Sequence, residues 1–205
     1  IILLFLAMLP ALREVWIRPH PRIFLPALIY CLLCSFMLGY QVLEKTILFI
    51  IIPLTLTACD SAMDARLYLL LTWIGHISLL PLLFTRDVAY LKPTLLALHC
   101  FVSYIALDRF HIEARLARRI RAEPNGGGVW LWAGDKAYIS GLVMIYLYGE
   151  VLHPLLPLFE PFLPPFLLHL NRYPFLPSLL TSIYCAAGIV HCWGLALKQI
   201  RRRVA

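Results

Sequence analysis

Residues 38–48 read LGYQVLEKTIL and set Glu44 beside Lys45 between two long apolar stretches. Ionised side chains are costly at membrane depth, so an acid and a base placed there are candidates for chemistry. Neighbouring positions on a helix point about 100° apart, so the two cannot neutralise each other face to face and each needs its own partner. Lys45 could hold a phosphate as a point charge, while Glu44 could orient that lysine or accept a sugar hydroxyl. The plainer alternative is that both reach to the lipid headgroups and fix a helix end.

The other reactive residue types form no local pattern. His76, His99 and His191 lie within apolar segments, and His153 and His169 in a proline-rich stretch. No pair has metal-ligand spacing on one helix with a carboxylate partner, so packing or interfacial roles are expected and no metal site. Cys31, Cys34, Cys59, Cys100, Cys185 and Cys192 all fall in or beside apolar segments, where a thiol is a small hydrophobe. Cys31 and Cys34 make a C-x-x-C, read as helix packing ahead of redox or zinc chemistry. P-loop, G-x-G-x-x-G, G-x-S-x-G and H-E-x-x-H motifs are all absent from the sequence.

The elements that position these residues belong in a bilayer. Hydrophobic residues make up 61% of the chain and the mean hydropathy is +0.81, well above soluble domains. The net charge of +7 sits in short clusters between apolar runs, the pattern of membrane topology, so no nucleic-acid partner is expected. The opening IILLFLAMLPALREVW has no basic residue before its apolar run, unlike a signal peptide. It reads as the tail of a truncated spanning helix, which makes the chain a portion of something larger. Expected spans are residues 1–12, 23–40, 46–59, 67–84, 91–107, 129–150 and 176–197. Prolines 26, 53 and 81 should kink theirs. The fold class is therefore all-α and polytopic, with no internal repeat.

Basic residues orient the spans. Alternate connections hold Arg13, Arg18 and Arg22, then Arg66, then Arg109, Arg115, Arg118, Arg119 and Arg121, then Lys198, Arg201, Arg202 and Arg203. The intervening ones hold only Lys45, Arg86, Lys92 and Arg172. The carboxyl terminus should be cytosolic and Lys45 on the opposite face. DRFHIEARLARRIR, residues 108–121, is either a segment lying on the anionic leaflet or a charged extension of the preceding helix. PNGGG at 124–128 should break any helix. Residues 151–177 carry seven prolines in an apolar stretch, and are expected to dip into or lie along the membrane.

Three blocks carry a resemblance: SFMLGYQVLEKTILFIIIP (35–53), WIGHISLLPLLFT (73–85) and YPFLPSLLTSIYCAAGIVHCW (173–193). In this order they resemble the carboxyl-terminal part of the endoplasmic reticulum dolichyl-phosphate-glucose-dependent α-1,3-glucosyltransferases, polytopic GT-C enzymes of N-glycan precursor assembly. Gly75-His76 with LLFT, and the LTS-x-YCA-x-G block, look more like the second glucosyltransferase, which acts on the monoglucosylated lipid-linked oligosaccharide. Gln41 resembles the first. The family's V-H-E-K motif reads Val42, Leu43, Glu44 and Lys45 here, without its His.

The resemblance implies a GT-C-like C-terminal transmembrane bundle in a multi-pass protein of the endoplasmic reticulum membrane. It implies dolichyl-phosphate-glucose as donor, a dolichol-diphosphate-linked oligosaccharide as acceptor, and no cofactor. Gln41, Glu44 and Lys45 become the donor-phosphate or substrate-binding candidates. No catalytic carboxylate is expected in this chain, because the family's lies in the amino-terminal half, and the chain alone should be inactive. The alternative is a non-catalytic pseudoenzyme or scaffold, to which the missing His at 43 points. A transporter fragment ranks below it, since no paired halves are visible.

Overall fold

The computed structural model describes residues 2–40, 42–80, 91–120, 133–152 and 175–204. Among them there are seven α-helices and no strand: α1 (Ile2–Ile17), α2 (Pro21–Leu38), α3 (Ile47–Thr57), α4 (Ala62–Leu79), α5 (Leu91–Ile120), α6 (Ala133–Leu147) and α7 (Leu176–Val204). A 3₁₀ turn, Glu44–Thr46, leads into α3, and a π turn, Tyr148–Leu152, extends α6.

α4 is the central element. Twelve of its eighteen residues are buried, and it packs against α3, α5, α6 and α7. Its start lies five residues before the expected 67, for an electrostatic reason. Ser61 accepts the Asp64 N–H at 3.2 Å and donates its hydroxyl to the Asp64 carboxylate, a reciprocal cap worth about 1 kcal/mol. Polar residues that look like a loop in sequence are thus the capped first turn of a buried helix. Arg66, counted with the basic connections, is the fifth residue of α4 and is 9% exposed.

α6 and α7 close on each other through a reciprocal clasp. Tyr138 donates its hydroxyl to the Tyr184 carbonyl at 2.7 Å, and Tyr184 donates to the Tyr138 carbonyl at 3.2 Å. The rings stack at 4.6 Å and 7°. Such proximity requires glycine: a methyl on Gly141 would strike the Tyr184 hydroxyl, and one on Gly188 the Tyr138 hydroxyl. α1 and α2 join α7 through a second cluster. Tyr30 donates to the Ala7 carbonyl at 3.0 Å and stacks on Trp193, whose indole N–H donates to the Cys34 sulfur at 3.2 Å. All six cysteines are free thiols.

α5 runs unbroken through Ile120. The basic segment from 108 is therefore an extension of the preceding helix, and not a separate surface segment. At 30 residues α5 is about 45 Å long, beyond the roughly 30 Å of a hydrocarbon core. Pro26 and Pro53 lie inside continuous helices, as does Pro10. Pro81, PNGGG and most of the proline-rich stretch lie outside the described residues. By length and hydropathy one helix among the described residues, Leu176–Arg203, qualifies as a membrane span, while Ile23–Leu38 and Ile47–Thr57 are apolar but shorter.

Candidate functional site

The antiparallel order gives the bundle two chemically different ends. At one, α2 stops at Gly39, whose N–H donates to the Ser35 carbonyl at 2.9 Å. A methyl there would collide with that carbonyl and approach Val42 to 2.6 Å, so the turn needs glycine on steric grounds. The chain then enters the 3₁₀ turn, closed by Thr46 N–H donating to the Leu43 carbonyl at 2.9 Å. Lys45 is exposed at this corner, at the start of α3. Thr46 precedes α3 without a side-chain cap, so Lys45 stands beside backbone N–H groups at the positive end of a helix dipole. Both favour an anion. Leu43 is 72% exposed on the same turn.

Of the three residues singled out in sequence, the structure thus places Lys45. The Glu44 backbone belongs to the same turn, and its side chain and Gln41 lie outside the described residues. A nearby pair escaped the sequence. His76 of α4 and His99 of α5 meet with ring centroids 5.3 Å apart, and His76 Nδ1 lies 2.7 Å from the Thr72 carbonyl. The contact crosses two helices, so no spacing on one helix could reveal it.

The opposite end gathers the buried charges. Arg66 Nε approaches Asp135 Oδ2 at 2.6 Å and Nη2 donates to Oδ1 at 2.8 Å, with the side chains 10% and 5% exposed. His191 Nε2 lies 4.0 Å from Asp135 Oδ1, and these groups border a cavity of about 410 Å³ between α4, α6 and α7. Arg203, near the end of α7, donates to Asp64 at 2.7 Å and to Asp60 at 3.3 Å. Burial raises the Asp64 carboxyl above its ordinary value, while Ser61 and Arg203 pull it down. A larger cavity of about 830 Å³ opens between α4, α5 and α6. Among the described residues no three His, Cys, Asp or Glu side chains gather as metal ligands do.

Residues 1–196 match the ALG6, ALG8 glycosyltransferase family. The chain belongs to this family. Several relatives share one name, dolichyl pyrophosphate Glc1Man9GlcNAc2 alpha-1,3-glucosyltransferase. The bovine protein is 37% identical over 189 residues, which is 92% of this chain and 31% of the relative. The Arabidopsis thaliana protein is 29% identical over 198 residues, 97% of this chain and 37% of the relative. The Drosophila melanogaster protein, named as probable in that role, is 34% identical over 178 residues, 86% and 30%. The chain spans about a third of the length of the curated relatives it matches. No solved structure matches it.

Proposed function

We propose that residues 1–205 are the C-terminal transmembrane portion of a multi-span glucosyltransferase of the endoplasmic reticulum membrane. It transfers glucose from dolichyl-phosphate-glucose to the dolichol-diphosphate-linked, monoglucosylated high-mannose oligosaccharide. The observation that carries this reading is the family match along residues 1–196, with relatives that share one name.

Embedding of the whole bundle in a bilayer, as a GT-C-like arrangement, is supported by what the helices expose. Phe5 and Leu6 on α1, Phe49 and Leu56 on α3, Phe101 on α5 and Ile183 on α7 are each more than 60% exposed. Soluble monomers rarely present apolar surface on so many elements at once. The basic ends then mark the cytosolic face, with the carboxyl terminus there and Lys45 in the lumen.

The chemistry is an inverting displacement. A carboxylate outside this chain takes the proton from the acceptor hydroxyl as the lipid phosphate leaves the anomeric carbon. Lys45, with the start of α3, stabilises the charge growing on that phosphate, and Glu44 and Gln41, close to it in sequence, are the further substrate-binding candidates. The chain alone transfers nothing, because it lacks the base. The second reading is a pseudoenzyme, favoured by Leu43 where the family motif carries His.

The test replaces the matching third of the bovine relative with this chain, in cells lacking that activity. The diglucosylated lipid-linked oligosaccharide should return with the chimera and not with the chain alone. A stable, membrane-inserted chimera that transfers no glucose would overturn the enzymatic reading. Activity appearing only after Leu43→His would establish the pseudoenzyme.

A further inference from the structure

We propose that the groove between α4, α5 and α6 holds an acyl chain of an anionic glycerophospholipid from the leaflet at the basic end of the bundle, its headgroup phosphate on Lys136. This rests on the bilayer embedding proposed above, and the site is distinct from the donor corner at Lys45.

The cavity of about 830 Å³ lies within the range of ligand sites, and Leu69, Trp73, Leu98 and Phe101 make its walls. On α4 and α6 it takes only residues near the Arg66–Asp135 pair, from Leu69 to Trp73 and from Lys136 to Ser140. Along α5 it runs from Tyr104 back to Thr94, about 15 Å of helical rise. That is half of a hydrocarbon core of roughly 30 Å, the depth of one leaflet. A spanning helix, about 10–12 Å wide and 27 Å long, occupies on the order of 2,000–3,000 Å³, several times this space.

Charge selects the headgroup. Lys136 is exposed and lines the cavity, while its neighbour Asp135 is committed to Arg66. Among the described residues Asp135 thus does not cancel this cation, and Asp108 and Arg109, adjacent on α5 beyond Tyr104, offset each other, so Lys136 carries the selection. The phosphate of the sugar donor is proposed at the other end of the bundle. An amphiphile anchored at Lys136 is consequently a different lipid.

The experiment measures lipid retained by the protein purified in mild detergent and equilibrated with phosphatidylinositol or phosphatidylcholine of matched chains, by native mass spectrometry. Phosphatidylinositol should be favoured about fivefold, the worth of one lysine near a lipid surface. Lys136→Gln should bring the two to parity, and Ala97→Trp, which fills the groove, should release both. Equal retention in the unaltered protein, or a preference surviving Lys136→Gln, overturns the headgroup contact. Retention undiminished in Ala97→Trp overturns the groove, and displacement of phosphatidylinositol by dolichyl phosphate overturns the choice of occupant. Glucose transfer is assayed separately in the chimera with the bovine relative, so an inactive chimera that keeps the lipid preference sinks the enzymatic reading and keeps this one. Protein that stays in solution without detergent overturns the embedding and this site together.

Discussion

Lys45 and Arg66 are both cations in a greasy chain, and their surroundings assign them opposite work. Lys45 is exposed at a helix start, free to meet a ligand, whereas Arg66 is enclosed and matched to Asp135 at two points. A charge-assisted contact to phosphate is worth about 1.5–3 kcal/mol, so Lys45→Ala should lower transfer by the active chimera roughly ten- to a hundredfold. The matching measurement is resistance to unfolding, which should hardly change, since the side chain is exposed. Arg66 should behave in reverse. Removing it strands a buried carboxylate, costing about 3–5 kcal/mol, whereas replacing both partners with apolar residues relieves that burden. Arg66→Met should therefore destabilise strongly, and Arg66→Met with Asp135→Leu should recover most of the loss in thermal unfolding in detergent. If the double variant were as unstable as the single one, the ion pair would not be the source of the cost.

At the scale of elements, the glycines separate crossings that are tight from helices that merely pass. Gly188 and Gly194 stand on the same helix, and Gly→Ala should stabilise a helix interior by about 1 kcal/mol where space allows. Among the described residues nothing lies within 4 Å of a methyl at Gly194, so Gly194→Ala should gain that amount. At Gly188 the methyl meets the Tyr138 hydroxyl and lies 2.7 Å from Ile74 Cδ1, and overpacking costs about 1–3 kcal/mol. The clash outweighs the propensity, so Gly188→Ala should unfold at lower temperature than the parent while Gly194→Ala unfolds higher. The same contrast marks what was legible in sequence. Apolar runs fill helices over their expected middles, because twenty hydrophobic residues announce themselves locally. The start of α4 was legible in the local Ser61–Asp64 spacing, but the burial of Asp64 and Arg66 was hidden, because they find their partners 139 and 69 residues away, in Arg203 and Asp135. The His76–His99 contact and the tyrosine clasp were hidden for the same reason. The candidate corner was legible only as the Glu44-Lys45 dipeptide. That it forms a 3₁₀ turn at a helix start, with Lys45 presented outward, depends on how Gly39 and Leu43 close the turn.

For the whole molecule the decisive matter is which end faces which compartment. Arg66 and Arg203 lie at the end carrying the α3–α4 turn, and Lys45 lies at the other, so the basic residues have been segregated by the fold and not only by the order of the sequence. Under the proposed embedding, the positive-inside rule would set the α3–α4 turn in the cytosol and residues 42–46 in the lumen. Cys59 offers a native probe of this. It is exposed in the α3–α4 turn, whereas Cys34, Cys100, Cys185 and Cys192 are buried and Cys31 is half-buried. In sealed microsomes, whose cytosolic face points outward, a membrane-impermeant maleimide should modify Cys59 without permeabilisation. A thiol placed at the exposed Leu43, in Leu43→Cys with Cys59→Ser, should react only after the vesicles are opened. Labelling of both positions from outside would mean that α3 does not cross the membrane, and the reverse pattern would invert the bundle. Either result would remove Lys45 from the compartment where the proposed transfer takes place.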